Sequence, residues 1–328
     1  MSTPLLFAMN ASRELGARIA KHPDIELGSH EERSFEDGEH KVRPLQCVRG
    51  RKIVVLSSLH SDTDLSVNDK LCRLLMFTGA LRDAAADEIT LALPYLAYAR
   101  KDRRTKPRDP VSLRYLAQMT EAVGADRVVA LEVHNPAAFQ NAFRCIIEHL
   151  SMAPLLAPRL SSILSQDDDI VIVSPDTGGY KRAQAFRQFL EKTTGKPIGS
   201  AFVEKLRSGG KLFHGRLVGE VAGATALIVD DMIVTGQTLI HAATTLQAQG
   251  AARVIAVAAH GPLHTDANEM LAAPALERIL ITNSVDPSRI DDVTVKSKIE
   301  RVDIAPFLAE AIARMVHNQS LTEWQGLT

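Results

Sequence analysis

The chain has 328 residues, 45% of them hydrophobic, which is enough for two ordinary domains, each with its own core. Lys and Arg number 38 and Asp and Glu 39, a formal charge of -1 that gives no global attraction for nucleic acid or an anionic membrane, so any anion site must be a local cluster. Cys47, Cys72 and Cys145 lack metal-like spacing, the N-terminus lacks the regions of a leader, and no apolar run nears the roughly 20 residues of a membrane span. The expectation is a cytoplasmic protein with no nucleic-acid and no membrane partner.

In chain order, apolar β-rich runs alternate with amphipathic helical stretches. PLLFAM precedes SRELGARIAKH, KIVVLSS precedes LSVNDKLCRLLMFTGALRDA, EITLALPY precedes VSLRYLAQMTEAVG, and RVVALEVH follows. A second series repeats the grammar: DIVIVSP with GGYKRAQAFRQFLEK, PIGSAFVEK, ATALIVDD with TGQTLIHAATTLQAQG, and ARVIAVAAH. Such alternation predicts an α/β fold with mostly parallel sheets flanked by helices. The proline-bearing run SMAPLLAP separates the two series and sets the expected domains at 1–150 and 151–328. The helix expected in IAPFLAEAIARMVHNQ can pack on either.

Four clusters bear on chemistry. VDDMIVTGQT, residues 229–238, sets Asp230 and Asp231 at the carboxyl end of an apolar strand, where open α/β sheets bind ligands, before a loop that opens a helix. Backbone N–H groups of such a loop can surround a phosphate, and the acids can accept from sugar hydroxyls. Acids that merely cap the next helix are the bland explanation; the added Thr-Gly-x-Thr loop argues against it. SPDTGG, residues 174–179, repeats strand, acid, glycines and helix, with Asp176 placed to hold magnesium or a hydroxyl, or to cap its turn.

SFEDGEH, residues 34–40, reads first as an Asp-Gly turn. With a nucleotide present, its Phe35 suits stacking on a base and its carboxylates suit an exocyclic amine. YARKDRRTKPRDP, residues 98–110, directly follows an apolar strand, so Arg100, Lys101, Arg103, Arg104 and Arg108 suit a polyphosphate rather than only a solvated loop. His134, at the expected end of the strand VVALEVH, is a metal or phosphate ligand or a structural histidine. Lys205 and Arg207, before Gly209 and Gly210, form either a closing flap or an ordinary surface loop.

Taken together and in this order, these motifs resemble those of the ribose-phosphate pyrophosphokinases, or phosphoribosyl diphosphate synthases, over nearly the whole chain. The resemblance implies two tandem phosphoribosyltransferase-type domains, with the C-terminal segment crossing back to the first. It implies transfer of the β,γ-diphosphoryl group of ATP to the anomeric hydroxyl of ribose 5-phosphate, giving phosphoribosyl diphosphate and AMP. ATP would lie between Phe35, Asp37, Gly38 and Glu39 of a neighbouring subunit and Arg100, Lys101, Asp102 and His134. Ribose 5-phosphate would lie on Arg207, Asp230, Asp231, Val234, Thr235, Gly236, Gln237 and Thr238. His134 and Asp176 would contact magnesium, Lys205 and Arg207 would be catalytic, and the protein would be a homo-oligomer, a dimer or hexamer.

Three residues depart from the family pattern. Lys101 stands where many relatives have Gln, Val234 replaces an acid, and Gln237 occupies a position commonly Gly or Ala. These changes bear on nucleotide preference and regulation more than on the core reaction. The competing reading is a divergent or catalytically silent paralogue that binds nucleotide and regulates a synthase, or that uses another phosphosugar.

Overall fold

The computed structural model describes residues 3–165, 168–204, 207–208, 211–212 and 216–327, with 207–208 and 211–212 described in backbone only. The chain divides into two compact units, Met1–Leu150 with Ile304–Gln325, and Ser151–Asp303 with Gly326–Thr328.

In the first unit, strands β1 (Leu5–Ala8), β2 (Glu26–Leu27), β3 (His30–Ser34), β4 (His40–Pro44), β5 (Lys52–Leu56), β6 (Glu88–Leu93), β7 (Arg127–Leu131) and β8 (Ile146–Leu150) alternate with helices. The helices are α1 (Arg13–Ile19), α2 (Val67–Asp83), α3 (Ser112–Ala122) and α4 (Pro136–Ala142). Six strands form one parallel sheet in the order β2-β1-β5-β6-β7-β8, while β3 and β4 pair with each other as an antiparallel hairpin. A capping box starts α2: Asp69 N–H donates to Ser66 Oγ at 3.2 Å, and Ser66 N–H donates to Asp69 Oδ2 at 2.9 Å. Such a cap contributes about 1 kcal/mol.

The second unit opens with α5 (Ala153–Ile163), β9 (Ile170–Ser174), α6 (Tyr180–Thr194), β10 (Gly199–Glu204), β11 (Arg207–Ser208), β12 (Lys211–Leu212) and β13 (Arg216–Val218). It continues through β14 (Thr225–Met232), α7 (Gln237–Ala248), β15 (Arg253–His260), α8 (Ala267–Leu271), β16 (Arg278–Thr282), α9 (Val293–Lys298) and β17 (Ile299–Val302). Its sheet runs β13-β10-β9-β14-β15-β16-β17, parallel throughout except for the edge strand β13. The proline-bearing run 151–158 opens α5: Pro154 sits in the first turn, where its missing N–H breaks no helical bond, and Pro158 lies inside the helix.

Helices on both faces explain why the strands read as continuous apolar runs rather than alternating ones. Ala226 to Val229 of β14 and Val254 to Ala259 of β15 are each 1% exposed or less. Helix α10 (Ala305–Val316) and α11 (Leu321–Trp324) belong to the first unit. There α10 meets α1 and its following turn, with His22 Nε2 at 3.6 Å from Glu310 and His317 Nε2 at 3.3 Å from Asp24. Among the described residues no helix is long and apolar enough to cross a membrane.

Strand order fixes where crevices open. In the second sheet β10 lies to one side of β9 and β14 to the other, so the winding reverses between β9 and β14. Helices there leave in opposite directions, and a crevice forms beyond the carboxyl ends.

Candidate active site

Two motifs meet at that crevice. Past β9, the Asp176 carboxylate accepts from the N–H groups of Gly178 and Gly179 at 3.0 Å each, so the SPDTGG turn wraps its own acid. Ser174 Oγ, fully buried, donates to the Asp176 carbonyl at 2.6 Å. Asp230 and Asp231 lie inside β14 rather than beyond it, since the strand continues to Met232. The Asp230 carboxylate folds onto the next amide, accepting from Asp231 N–H at 2.9 Å. Arg182 of α6 then holds both acids, its Nη1 lying 3.2 Å from an oxygen of each.

Burial, reinforced by the Asp231 carboxylate beside it, pushes the Asp230 carboxyl up to about 8, with the Arg182 charge opposing the rise. The rise favours a proton held on the acid pair.

The loop after β14 is clamped at its start, where Ile233 N–H donates to the His260 carbonyl at 2.9 Å and His264 N–H to the Val234 carbonyl at 2.8 Å. Gly236 begins α7 with φ +77°, and a Cβ there would stand 2.7 Å from Leu271 Cδ2, so both backbone conformation and space demand glycine. Val234, Thr235, Gln237 and Thr238 surround it with half-buried or exposed side chains. Helix starts carry N–H groups without intrahelical acceptors and the positive end of the dipole, which is the physical basis of an anion cradle.

In the first unit the hairpin tip is a tight turn: Phe35 N–H donates to the Glu39 carbonyl at 2.7 Å, Gly38 takes φ +93°, and Asp37 accepts from Glu39 N–H at 3.0 Å. Phe35 is 42% exposed with the Arg33 guanidinium 4.7 Å above its ring. Beneath, the buried Glu32 carboxylate accepts from Asn10 N–H at 2.8 Å and Arg73 Nη1 at 3.2 Å, while Arg73 Nη2 donates to Ser34 Oγ at 2.7 Å. The hairpin is thereby fixed to α2.

The basic loop leaves β6 through Tyr98, whose φ of +61° is rare for an aromatic residue and whose hydroxyl donates to Asn68. Arg100 and Lys101 extend into solvent; Asp102 is half-buried and accepts from the Asn135 amide at 2.7 Å. The neighbouring strand β7 stops at Leu131, and Glu132, buried with φ +40°, turns the chain. His134 is thus an exposed turn residue beyond the strand, not its last residue as the sequence suggests. Because β6 and β7 pair, Asp102 and His134 emerge on adjacent loops.

Lys205 lies outside the described residues, and Arg207 is described only as backbone of β11. Among the described residues no three His, Cys, Asp or Glu side chains gather as a metal cluster. His134 belongs to the first unit and Asp176 to the second. Magnesium keeps most of its waters and takes one or two protein ligands plus phosphate oxygens, so isolated donors of this kind fit an ion that arrives with a polyphosphate.

Sequence reasoning missed Arg182, Asn135 and the Glu32–Arg73 support. Arg182 did carry a signal: it is the third residue of α6, in a first turn where the helix dipole disfavours a cation unless a local acid holds it.

A doubly wound, mostly parallel sheet in each half makes this a two-unit α/β protein. Residues 4–124 match the family profile of the N-terminal domain of ribose phosphate pyrophosphokinase, and residues 213–324 that of the phosphoribosyl synthetase-associated domain. Ribose-phosphate pyrophosphokinase 1 of Streptococcus pneumoniae serotype 4 is 33% identical over 320 residues, covering 97% of this chain and 95% of its own. The protein of the same name from Streptococcus pyogenes serotype M3 is 34% identical over 322 residues, with 97% and 96% covered. The crystal structure of phosphoribosylpyrophosphate synthetase from Mycobacterium smegmatis matches with a TM-score of 0.85 at 32% identity, over 96% of this chain and 99% of that one. The chain belongs to the ribose-phosphate pyrophosphokinase family.

Proposed function

We infer that this chain is a ribose-phosphate diphosphokinase, which moves the β,γ-diphosphoryl group of ATP to the anomeric hydroxyl of ribose 5-phosphate and releases AMP. The observation that carries the reading is the Arg182-clamped acid pair standing beside the Gly236 loop at the crevice of the second sheet, in a chain of this family.

In this reading the sugar phosphate lies on the N–H groups of residues 234–238, and Asp230 and Asp231 accept from the ring hydroxyls, which fixes the ring and aims the anomeric oxygen. Phe35 stacks on adenine, Asp37 and Glu39 accept from its exocyclic amine, and Arg100 and Lys101 neutralise polyphosphate oxygens alongside Asp102 and His134. Lys205 and Arg207 act on the transferring group, Arg207 also on the sugar phosphate, to stabilise spreading charge. Magnesium, when bound, adds charge neutralisation on the polyphosphate, with His134 and Asp176 as its protein contacts. The 35–39 hairpin serves a neighbouring copy in a dimer or hexamer, and the compartment is the cytoplasm.

The test is AMP formation from ATP and magnesium with and without ribose 5-phosphate, the product identified by mass. Sugar-dependent AMP together with phosphoribosyl diphosphate is the expected result. No AMP, with both ligands binding by calorimetry, overturns the synthase reading in favour of a silent, regulatory paralogue.

A further inference from the structure

One side chain ties the basic loop to the turn that carries His134. Asn135 Oδ1 accepts from Ala138 N–H at 3.2 Å, capping α4, and its Nδ2 donates to Asp102 Oδ2 at 2.7 Å. The two partners fix the amide in one orientation: the Ala138 N–H donates and the Asp102 oxygen accepts, so a flipped amide loses both bonds. A cavity of about 370 Å³ opens beside the contact, lined among others by Asp102, Leu113, Arg114, Asn135, Ala138 and Asn141. The rest of the loop folds largely on itself, with Asp109 accepting from Thr105 Oγ1 at 2.7 Å, Thr105 N–H at 3.2 Å and Lys106 N–H at 3.0 Å.

We propose that Asn135 is a positioning residue that holds Asp102, and with it the start of the basic loop, in place for the nucleotide, and so sets affinity for ATP without touching the phosphoryl chemistry. The proposal rests on the reading of Asp102 as part of the nucleotide site. Asn suits both duties because its oxygen caps the helix while its NH2 makes a charge-assisted bond to the carboxylate. Serine at the same position retains a capping oxygen but presents no amide to Asp102. The cap and the clamp are therefore separable.

The experiment compares Asn135→Ser, Asn135→Ala, Asp102→Ala and the double variant Asn135→Ser/Asp102→Ala in steady-state kinetics and thermal melting. Loss of one charge-assisted bond predicts a rise of about tenfold in KM for ATP in both Asn135 variants. KM for ribose 5-phosphate and kcat stay within about twofold, and Asn135→Ser melts above Asn135→Ala because its cap survives. In the double variant, Asn135→Ser adds nothing to Asp102→Ala, since the two residues act as a unit. An unchanged KM for ATP in Asn135→Ser beside a raised one in Asp102→Ala overturns the inference and leaves the nucleotide reading standing. An unchanged KM for ATP in Asp102→Ala sinks both. A parallel rise of both KM values with a lower melting temperature reduces Asn135 to a cap and overturns the inference too.

Discussion

The two sheets share one plan and use different parts of it. In the second unit SPDTGG and VDDMIVTGQT flank the reversal between β9 and β14, where doubly wound sheets open a crevice. The first sheet reverses between β1 and β5, yet its basic loop and His134 follow β6 and β7, further along. Its reversal is filled by its own polar side chains: Ser58 N–H donates to Ser12 Oγ at 3.0 Å, Ser58 Oγ lies 3.1 Å from His60 Nδ1, and all three are at most 8% exposed. In the second unit glycines and short acids line the reversal instead. Buried hydroxyls and an imidazole close that of the first unit, which presents its charged groups elsewhere.

The division predicts that substitutions in each unit move different constants. The largest effect belongs to Lys205→Ala, for which loss of one electrostatic contact to the transferring group lowers kcat by about 10²- to 10³-fold. ATP affinity by calorimetry stays near the parent value. An unchanged kcat takes Lys205 out of the mechanism.

Next comes Gly236→Ala, which forces a Cβ into a left-handed position 2.7 Å from Leu271. The conformation alone costs about 1 to 2 kcal/mol, so KM for ribose 5-phosphate rises at least about tenfold while KM for ATP holds. Adding Leu271→Ala relieves the overlap but not the φ strain, so recovery is partial. Equal effects on both substrates would erase the division of labour between the units.

A smaller change on the other side is Glu32→Gln. The carboxylate is buried with Arg73, and weakening that support destabilises by about 1 to 3 kcal/mol. The expected readout is a lower melting temperature and a several-fold higher KM for ATP, with KM for ribose 5-phosphate unchanged. If the sugar constant moves instead, the hairpin serves the wrong substrate for this scheme.

What the sequence made legible follows from which forces act locally. Continuous apolar runs betray strands covered on both faces, so the inner strands β1, β5, β6, β7, β9, β10, β14 and β15 and the helices between them are legible, as are the Asp-Gly turn and the acid pair with its glycine loop; the short or peripheral strands β2, β8, β13, β16 and β17 are not. The sequence pattern sets His134 at a strand end because nothing in a Glu side chain announces φ +40°; tertiary packing imposes it, as it imposes φ +61° on Tyr98. Arg182 reaches Asp230 across 48 positions, and Arg73 reaches Glu32 across 41, separations that no periodicity encodes. The pattern of α10 announced a helix but not the partner of its apolar face.

The crevice of the second unit also leaves a signature in stability. An aspartate in an unfolded chain releases its proton near pH 4, whereas burial and Asp231 hold the Asp230 proton in the folded crevice to about 8. Between those values the folded protein binds a proton that the unfolded chain has lost, so this group makes stability fall as pH rises from about 4 to about 8 and adds no further slope above. Asp230→Asn removes the ionisation while keeping the size, so its melting temperature loses that share of the decline and gains on the parent as pH climbs through the window. A constant difference between parent and variant from pH 5 to about 9 would assign the proton to some other group. A gap that opens with pH would instead mark the open reversal as a place where the fold trades stability for a carboxyl held ready, something the closed reversal of the first unit, filled by hydroxyls and one imidazole, is not built to show.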